Sequence, residues 1–311
     1  MSFKWKIGEF DDSLLTKIRV LNTLVIDQIY KNKFGFILEK NNLVVGFISC
    51  KKIPLSNLFI SKTGILVQEP EMFLEAIRAL RNFTKSNNFS ISFPLDYLHF
   101  SSSIEMNFLH AGSKETIVHD ISLDYGSWFK NLKKKHRYYV NKAIKTENNN
   151  CKIVTVEELK IFTINEIYDF YSYEMKTRNA PLLFQQFSDF EKFIHRNKKN
   201  IFLLLCFNQS NLGFLSVIHV HNKCANYIMA ATNNTGKKFY LSYLGINELF
   251  KFMQSSKINF FNFGGINSLT NQGVYHFKKG FGGQVYTSAK YIFLGKRIHS
   301  FLWKILINIK C

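Results

Sequence analysis

The stretch NLGFLS (residues 211–216) is a near copy of VVGFIS (residues 44–49). Each follows a polar turn that closes an apolar run, Lys40, Asn41 and Asn42 in one case and Asn208, Gln209 and Ser210 in the other. Both sites therefore read as β-hairpins. Downstream, Ile77, Leu80, Phe83 and Ser86 match Ile246, Leu249, Phe252 and Ser255 at one constant offset, with the three-residue spacing of a helix face. The same offset aligns Phe89 and Ile91 with Ile258 and Phe260, alternating residues of a strand. Hairpin, further strand, helix and strand in the same order in both halves predict a duplication. The expected fold class is mixed α/β. It comprises two tandem units, residues 1–125 as a degenerate copy and residues 126–311 carrying the site. Each is a helix packed on a mostly antiparallel sheet that ends in parallel strands.

The 311 residues suffice for two such units, and a composition 46% hydrophobic and 16% aromatic supplies their cores. Lysine and arginine number 41 against 22 acids, a net charge of +19 that favours a polyanionic partner. Abundant Phe, Asn and Ile beside Lys are also what an A/T-rich genome writes, so charge alone does not decide. Cys50, Cys151, Cys206, Cys224 and Cys311 are odd in number and lack CxxC spacing, which argues against a disulfide framework and against a zinc site. The opening MSFKWKIGEFDD has no apolar signal region, and the apolar runs are too short to span a bilayer, so a cytoplasmic protein is expected. In the tail IHSFLWKILINIK, Ile298, Phe301, Leu302, Ile305 and Ile309 share one helical face, suited to packing on the domain or to peripheral contact with the inner face of the membrane.

Two segments carry most of the chemistry. NFGGINSLTNQGVYHFKKGFGG (residues 262–283) holds six glycines and two adjacent lysines after a buried-strand pattern, reading as a glycine-rich connection where backbone amides and positive charge meet a ligand. SWFKNLKKKHRYYVNKAIK (residues 127–145) reads as one helix with Phe129, Leu132, His136, Tyr139 and Ala143 on one face. From Lys130 to Lys145 it carries six lysines, one arginine and no acid. A solvated face and an anion-binding face are both open for it.

In four places the chain resembles the FemABX-type aminoacyltransferases, which are built from two GNAT-like acyltransferase units. WFKNLKKKHRYYVNKAIK is similar to the family's basic helix, and IYDFYSYEMKTRNAPLLFQQFSDF to its next helix with an arginine near the end. KFYLSYLGINELFKFMQSSKINFFNFGGI is similar to its helix and strand leading to a glycine pair, and GVYHFKKGFGG to its closing Phe-Lys segment. The resemblance implies two GNAT-like domains and transfer of an activated acyl group to an amine of a lipid-linked or nucleotide-linked cell-envelope precursor. Aminoacyl-tRNA is the donor it implies, while related GNAT-like enzymes use acyl-CoA. It places the Phe-Lys pair on Phe277 and Lys278 and the arginine on Arg178. The spaced Arg/Gln-x-x-Gly-x-Gly/Ala loop of acyl-CoA enzymes is absent; NNTGKK stands in its place.

Aminolysis of an ester or thioester builds an oxyanion, which Lys278 would stabilise. Phe277 would pack on a ribose or base, or fill core. Arg178 offers a fork for a diphosphate of an anionic envelope precursor or nucleotide-sugar, or an ion pair with Glu174 at i−4. Gly264, Gly265 and Lys279 complete the expected acceptor side. Thr235, Gly236 and Lys237 at a helix start, with Lys134 and Arg137, form the expected donor side. For the proton on the amine, Tyr227, Glu248 and the pair His219 and His221 are candidates. No bound cofactor and no metal are expected, only the co-substrate. Two other readings stay open: an acyl-CoA-dependent N-acetyltransferase acting on an amino sugar or amino acid, and a non-catalytic nucleic-acid-binding protein supported by charge and aromatics alone.

Overall fold

A computed structural model describes residues 3–9, 34–52, 58–61, 66–67, 72, 75–76, 79–80, 88–92, 109–121, 123–221, 223–266 and 272–293. The chain divides into two compact units, Met1–Thr116 with Tyr286–Cys311, and Ile117–Val285.

The first unit contains β1 (Phe3–Glu9), β2 (Phe34–Lys40), β3 (Leu43–Lys52), β4 (Leu58–Ser61), β5 (Leu66–Val67) and β6 (Asn88–Ser92). The predicted hairpin is β2 and β3: Lys40 pairs with Leu43 across Asn41 and Asn42, both left-handed, the type I′ geometry that suits the twist of the strands. β4 pairs antiparallel with β3 and parallel with β6. Ala76 and Leu80 lie buried at helical positions, and the Trp5 indole donates to the Ala76 carbonyl at 2.9 Å. Ile77, Phe83, Ser86, the 298–309 face and Cys311 lie outside the described residues.

The second unit opens with the end of β7 (Leu109–Asp120). It continues through α1 (Tyr125–Asn131), α2 (Lys134–Lys145), β8 (Asn149–Thr155), α3 (Ile164–Lys176) and α4 (Phe187–Arg196). Then come β9 (Ile201–Asn208), β10 (Asn211–His221), β11 (Cys224–Thr232), α5 (Asn234–Lys238), α6 (Leu241–Ser255), β12 (Phe260–Ile266) and α7 (Gln272–Gly280). Strands β8 to β11 pair antiparallel in sequence order, and β12 adds to β11 in parallel. The duplicated order thus holds: hairpin, antiparallel strand, helix, parallel strand. Each copy of the repeat motif carries a bulge, one residue apart in the alignment: Val45 is skipped in the pairing of β3 with β2 and Gly213 in the pairing of β10 with β9.

Three features depart from the sequence-based expectation. The second unit closes at Val285, because β13 (Gln284–Phe293) pairs over Lys290 to Phe293 with β6 of the first. The basic segment is two helices, not one: Leu132 and Lys133 are extended (ψ 146° and 143°), and the Arg137 guanidinium donates to the Lys130 and Leu132 carbonyls, capping the end of α1. Phe129 accordingly belongs to α1, and His136 and Ala143 to α2. The 262–283 segment is not a loop throughout either, since β12 runs on to Ile266 and α7 covers Gln272–Gly280.

The core lies between the sheet and α1, α2 and α6, where Trp128 stacks on Phe250 at 3.9 Å between ring centroids. Cys151 and Cys206, distant in sequence, meet as free thiols across β8 and β9 with Sγ atoms 3.0 Å apart. Among the described residues no helix is long and apolar enough to cross a membrane.

Candidate active site

The parallel ladder of β11 and β12 is short: Cys224, Ala225 and Asn226 pair with Phe260, Phe261 and Asn262, and there the pairing ends. Gly264 is the reason. Its φ of +76° turns β12 aside, its N–H closes on the Asn262 side-chain oxygen at 2.8 Å, and a Cβ here would lie 3.2 Å from the Tyr227 carbonyl oxygen. The strands therefore part at Tyr227 and Gly264.

Lys278 reaches into that parting. It sits on the buried face of α7, only 9% exposed, with Nζ donating to the Gly265 carbonyl at 2.9 Å and standing 5.9 Å from the centre of the Tyr227 ring. Burial pushes the ammonium down to about 8. An ammonium has three N–H donors, so two remain beyond the Gly265 bond. Burial pushes the Tyr227 hydroxyl well above its ordinary value, against the opposing pull of a hydrogen bond with Ser216, so it stays protonated at physiological pH and keeps both donor and acceptor capacity. Lys278, Tyr227, Gly264 and Gly265 are thus brought together. Phe277 packs edge-on against Tyr243 (5.3 Å) and Phe281 (5.1 Å), the core arrangement, and half-buried Lys279 is the next residue of α7.

The other expected residues lie elsewhere in the unit. Strand register pairs Tyr227 with Ile218 and Asn226 with His219, so buried His219, edge-on to Phe193, faces the side of the sheet away from Tyr227. His221 is two residues further along the same strand, beyond the end that pairs with Asn226. Glu248, on α6, accepts from Lys251 at 2.8 Å and from Asn247 at 2.9 Å. Arg178 pairs with Glu174 at 3.2 Å and also donates to the Thr232 carbonyl, both through Nη2, which ties the end of α3 to the far end of β11. Thr232 follows Tyr227 by five residues, roughly 16 Å along a strand.

On the donor side, Gly236 is a packing residue. Its N–H is taken by the Asn233 side chain at 2.9 Å, and a Cβ would meet the Gly213 carbonyl oxygen at 2.0 Å. Lys237 and Lys134 are exposed and Thr235 is half-buried. Beside them Tyr139 stacks on Tyr240 (4.9 Å), and the Lys142 ammonium lies 4.9 Å from the centre of the Tyr240 ring. Among the described residues no group of His, Cys, Asp and Glu is arranged to hold a metal.

Two polar residues escaped the sequence reading. Asn226 is buried at the last pair of the β11–β12 ladder, on the His219 face of the sheet, with its Nδ2 unpartnered among the described residues, and His136 contacts the backbone of α7. The polar break in the apolar pattern of β11 was the available signal for the first.

Residues 212–289 match the FemAB family. That segment contains every group at the strand parting. A structure of FemX superposes with a TM-score of 0.67 at 13% identity, over 97% of this chain and 96% of that one. A structure of L-PGS from Bacillus licheniformis gives 0.53 at 10% identity, over 85% and 86%. A tandem GNAT protein from the clavulanic acid biosynthesis pathway gives 0.51 at 8% identity, over 95% and 99%. No curated protein sequence matches. The fold is the FemX-like, GNAT-like one that the four sequence segments imply.

Proposed function

We propose that the chain is a FemABX-type acyltransferase that moves an activated acyl or aminoacyl group onto an amine of a cell-envelope precursor. One observation carries this reading: a lysine ammonium buried at the parting of β11 and β12, inside the segment that matches the FemAB family. Attack by the amine converts the donor carbonyl to a tetrahedral oxyanion, and the two spare N–H donors of Lys278 meet that charge in a site poor in water. Collapse of the intermediate breaks the ester or thioester bond and expels the ribose oxygen or thiolate. As the amide forms the attacking nitrogen loses one proton and the departing oxygen or sulfur takes one up, and the Tyr227 hydroxyl relays the transfer, giving one proton and receiving the other. Arg178, about a strand's length away, suits an extended acceptor whose anionic group is far from its amine.

The donor we favour is aminoacyl-tRNA. Lys130, Lys133, Lys134, Lys135, Lys142 and Lys145 are exposed along α1, α2 and the link between them, and the Tyr139–Tyr240 stack adjoins Lys142. Repeated phosphates are what such a surface meets, and binding should weaken steeply with salt. Replacing Lys134, Lys135, Lys142 and Lys145 by glutamine is expected to lower the log-log salt slope for tRNA binding by about 2–4. Transfer from acyl-CoA at full rate without RNA, retained by the glutamine variant, would overturn this choice in favour of the acyl-CoA reading that the tandem GNAT likeness suggests.

For the acceptor, Arg178→Lys is expected to raise the acceptor KM about tenfold with kcat little changed, because a point charge does not reproduce a fork. An unchanged KM would leave Arg178 only its tie to Glu174 and Thr232.

A further inference from the structure

A helix ends with four backbone carbonyls that lack partners within it. In α7 these belong to Phe277, Lys278, Lys279 and Gly280, and each is satisfied. The following turn supplies two: Phe281 N–H donates to Lys278 and Gly282 N–H to Lys279, both at 3.2 Å. The other two come from the start of α2, more than a hundred residues away. Lys133 N–H donates to the Gly280 carbonyl at 3.0 Å, and His136 Nε2 donates to the Phe277 carbonyl at 2.9 Å.

The His136 contact is built into both partners. A Cβ on Gly280 would lie 1.9 Å from His136 Cε1, so only glycine lets the ring reach the helix end. The ring stands edge-on to Tyr243 (5.2 Å) and Phe281 (4.9 Å), which fixes its plane. Burial holds the imidazole below its ordinary pKa, and with the proton on Nε2 the ring is a neutral, single-donor group. Nδ1, the acceptor nitrogen of this tautomer, is buried with no hydrogen-bond partner among the described residues, so the Phe277 carbonyl is the ring's one hydrogen-bond partner there.

We infer that His136 is a positioning residue for Lys278: by capping the Phe277 carbonyl, one residue before the lysine, it sets the depth and rotation of α7 and so the placement of the Lys278 ammonium on Gly265. Among the described residues Lys278 Nζ makes one hydrogen bond, and α7 is followed by Gly282 and Gly283, both left-handed (φ +95° and +81°), so the cap from α2 carries the registration that the chain after the helix does not. This inference rests on the catalytic role proposed for Lys278, and its test is chosen to read the lysine without a substrate.

Trace labelling with acetic anhydride across pH 6 to 11, read by mass spectrometry of the Lys278 peptide, reports the lysine's own titration and access. His136→Gln keeps a donor near the Nε2 position and is expected to match the native profile. His136→Leu and His136→Phe both lose the donor, and Phe also keeps an aromatic ring in case Leu does not fold. Both are expected to move the Lys278 titration upward toward that of an exposed lysine, which slows labelling at pH 8, and to label it at least threefold faster at pH 11, where the amine is mostly free in every variant and the rate reports access. A native Lys278 profile in a folded Leu or Phe variant overturns the inference, whatever the reaction proves to be. In a transfer assay with aminoacyl-tRNA and a nucleotide-linked muramyl peptide, kcat should fall about thirtyfold in the Phe variant with acceptor KM within twofold, and recover in the Gln variant. Failure of every variant and of the native protein to transfer, with the labelling result intact, faults the function and not the placement.

Discussion

Lys278→Met is expected to abolish acyl transfer and to raise the melting temperature. The two effects have one origin, the burial of an ammonium. Losing a donor to a developing oxyanion typically lowers kcat by a factor on the order of a hundred to a thousand. For stability the sign runs the other way. The folded pKa near 8 against 10.5 for a free lysine means that the unfolded chain binds the proton more tightly, a burden of about 3 kcal/mol at neutral pH. That burden is present below pH 8 and fades as the pH rises from 8 to 10.5. Methionine fills the same volume without charge but leaves the Gly265 carbonyl unpartnered, which returns about 1 kcal/mol. A net gain of about 1–2 kcal/mol, seen as a Tm a few degrees higher, is expected at pH 7 and should disappear by pH 10.5. Activity of the native enzyme should decline as the pH climbs through about 8, since the ammonium is the working form. A rate that instead climbs with pH to a plateau near 8 would make Lys278 the base and sink the oxyanion assignment; full turnover by the Met variant would sink both.

The duplicated hairpins were legible because the periodicity and turn chemistry that fix them are local: Asn41 and Asn42 at left-handed positions in the first, Gln209 in the second, and apolar residues after each turn. The parallel strands were legible for the same reason. Lys278 could be named from the Phe-Lys pair but not seated. Within α7 it takes a core position between Phe277 and Phe281, and hydrophobic periodicity counts every lysine as surface. Surrounding glycines then made the segment read as a loop. Arg178 shows the boundary sharply. Its Glu174 partner sits at i−4 and is readable; its Thr232 partner is a backbone carbonyl on another strand, to which side-chain identity is no guide. Arg137 is the same case, spent on the carbonyls that end α1. The match of Gly280 to the His136 ring is likewise a property of two chain positions that only the fold brings together.

Gly236→Ala is expected to unfold much of the second unit. The sequence placed Gly236 among residues that receive a donor phosphate, where a small residue and a free N–H would serve the ligand. In the structure that N–H is already held by Asn233, and the glycine's Cα lies against β10 where the repeat motif bends. A methyl group there would meet the Gly213 carbonyl oxygen at 2.0 Å, the Gly213 carbonyl carbon at 2.7 Å and the Thr232 methyl at 2.7 Å. Two of those three atoms are backbone of a central strand that also accepts the Asn233 N–H at 3.1 Å, so the strand cannot retreat without breaking its own bonds. Displacing α5 instead would pull Asn233 from its cap and disturb the start of α6, which packs on the same sheet. Either way the expected loss is about 3 kcal/mol or more, the upper end for overpacking. Thr235→Val, one residue earlier and only half-buried, should change stability by less than about 0.5 kcal/mol. Urea unfolding of the two variants separates the roles. A Gly236→Ala protein as stable as the native one, but impaired in use of the donor, would return Gly236 to the ligand and contradict the packing described here.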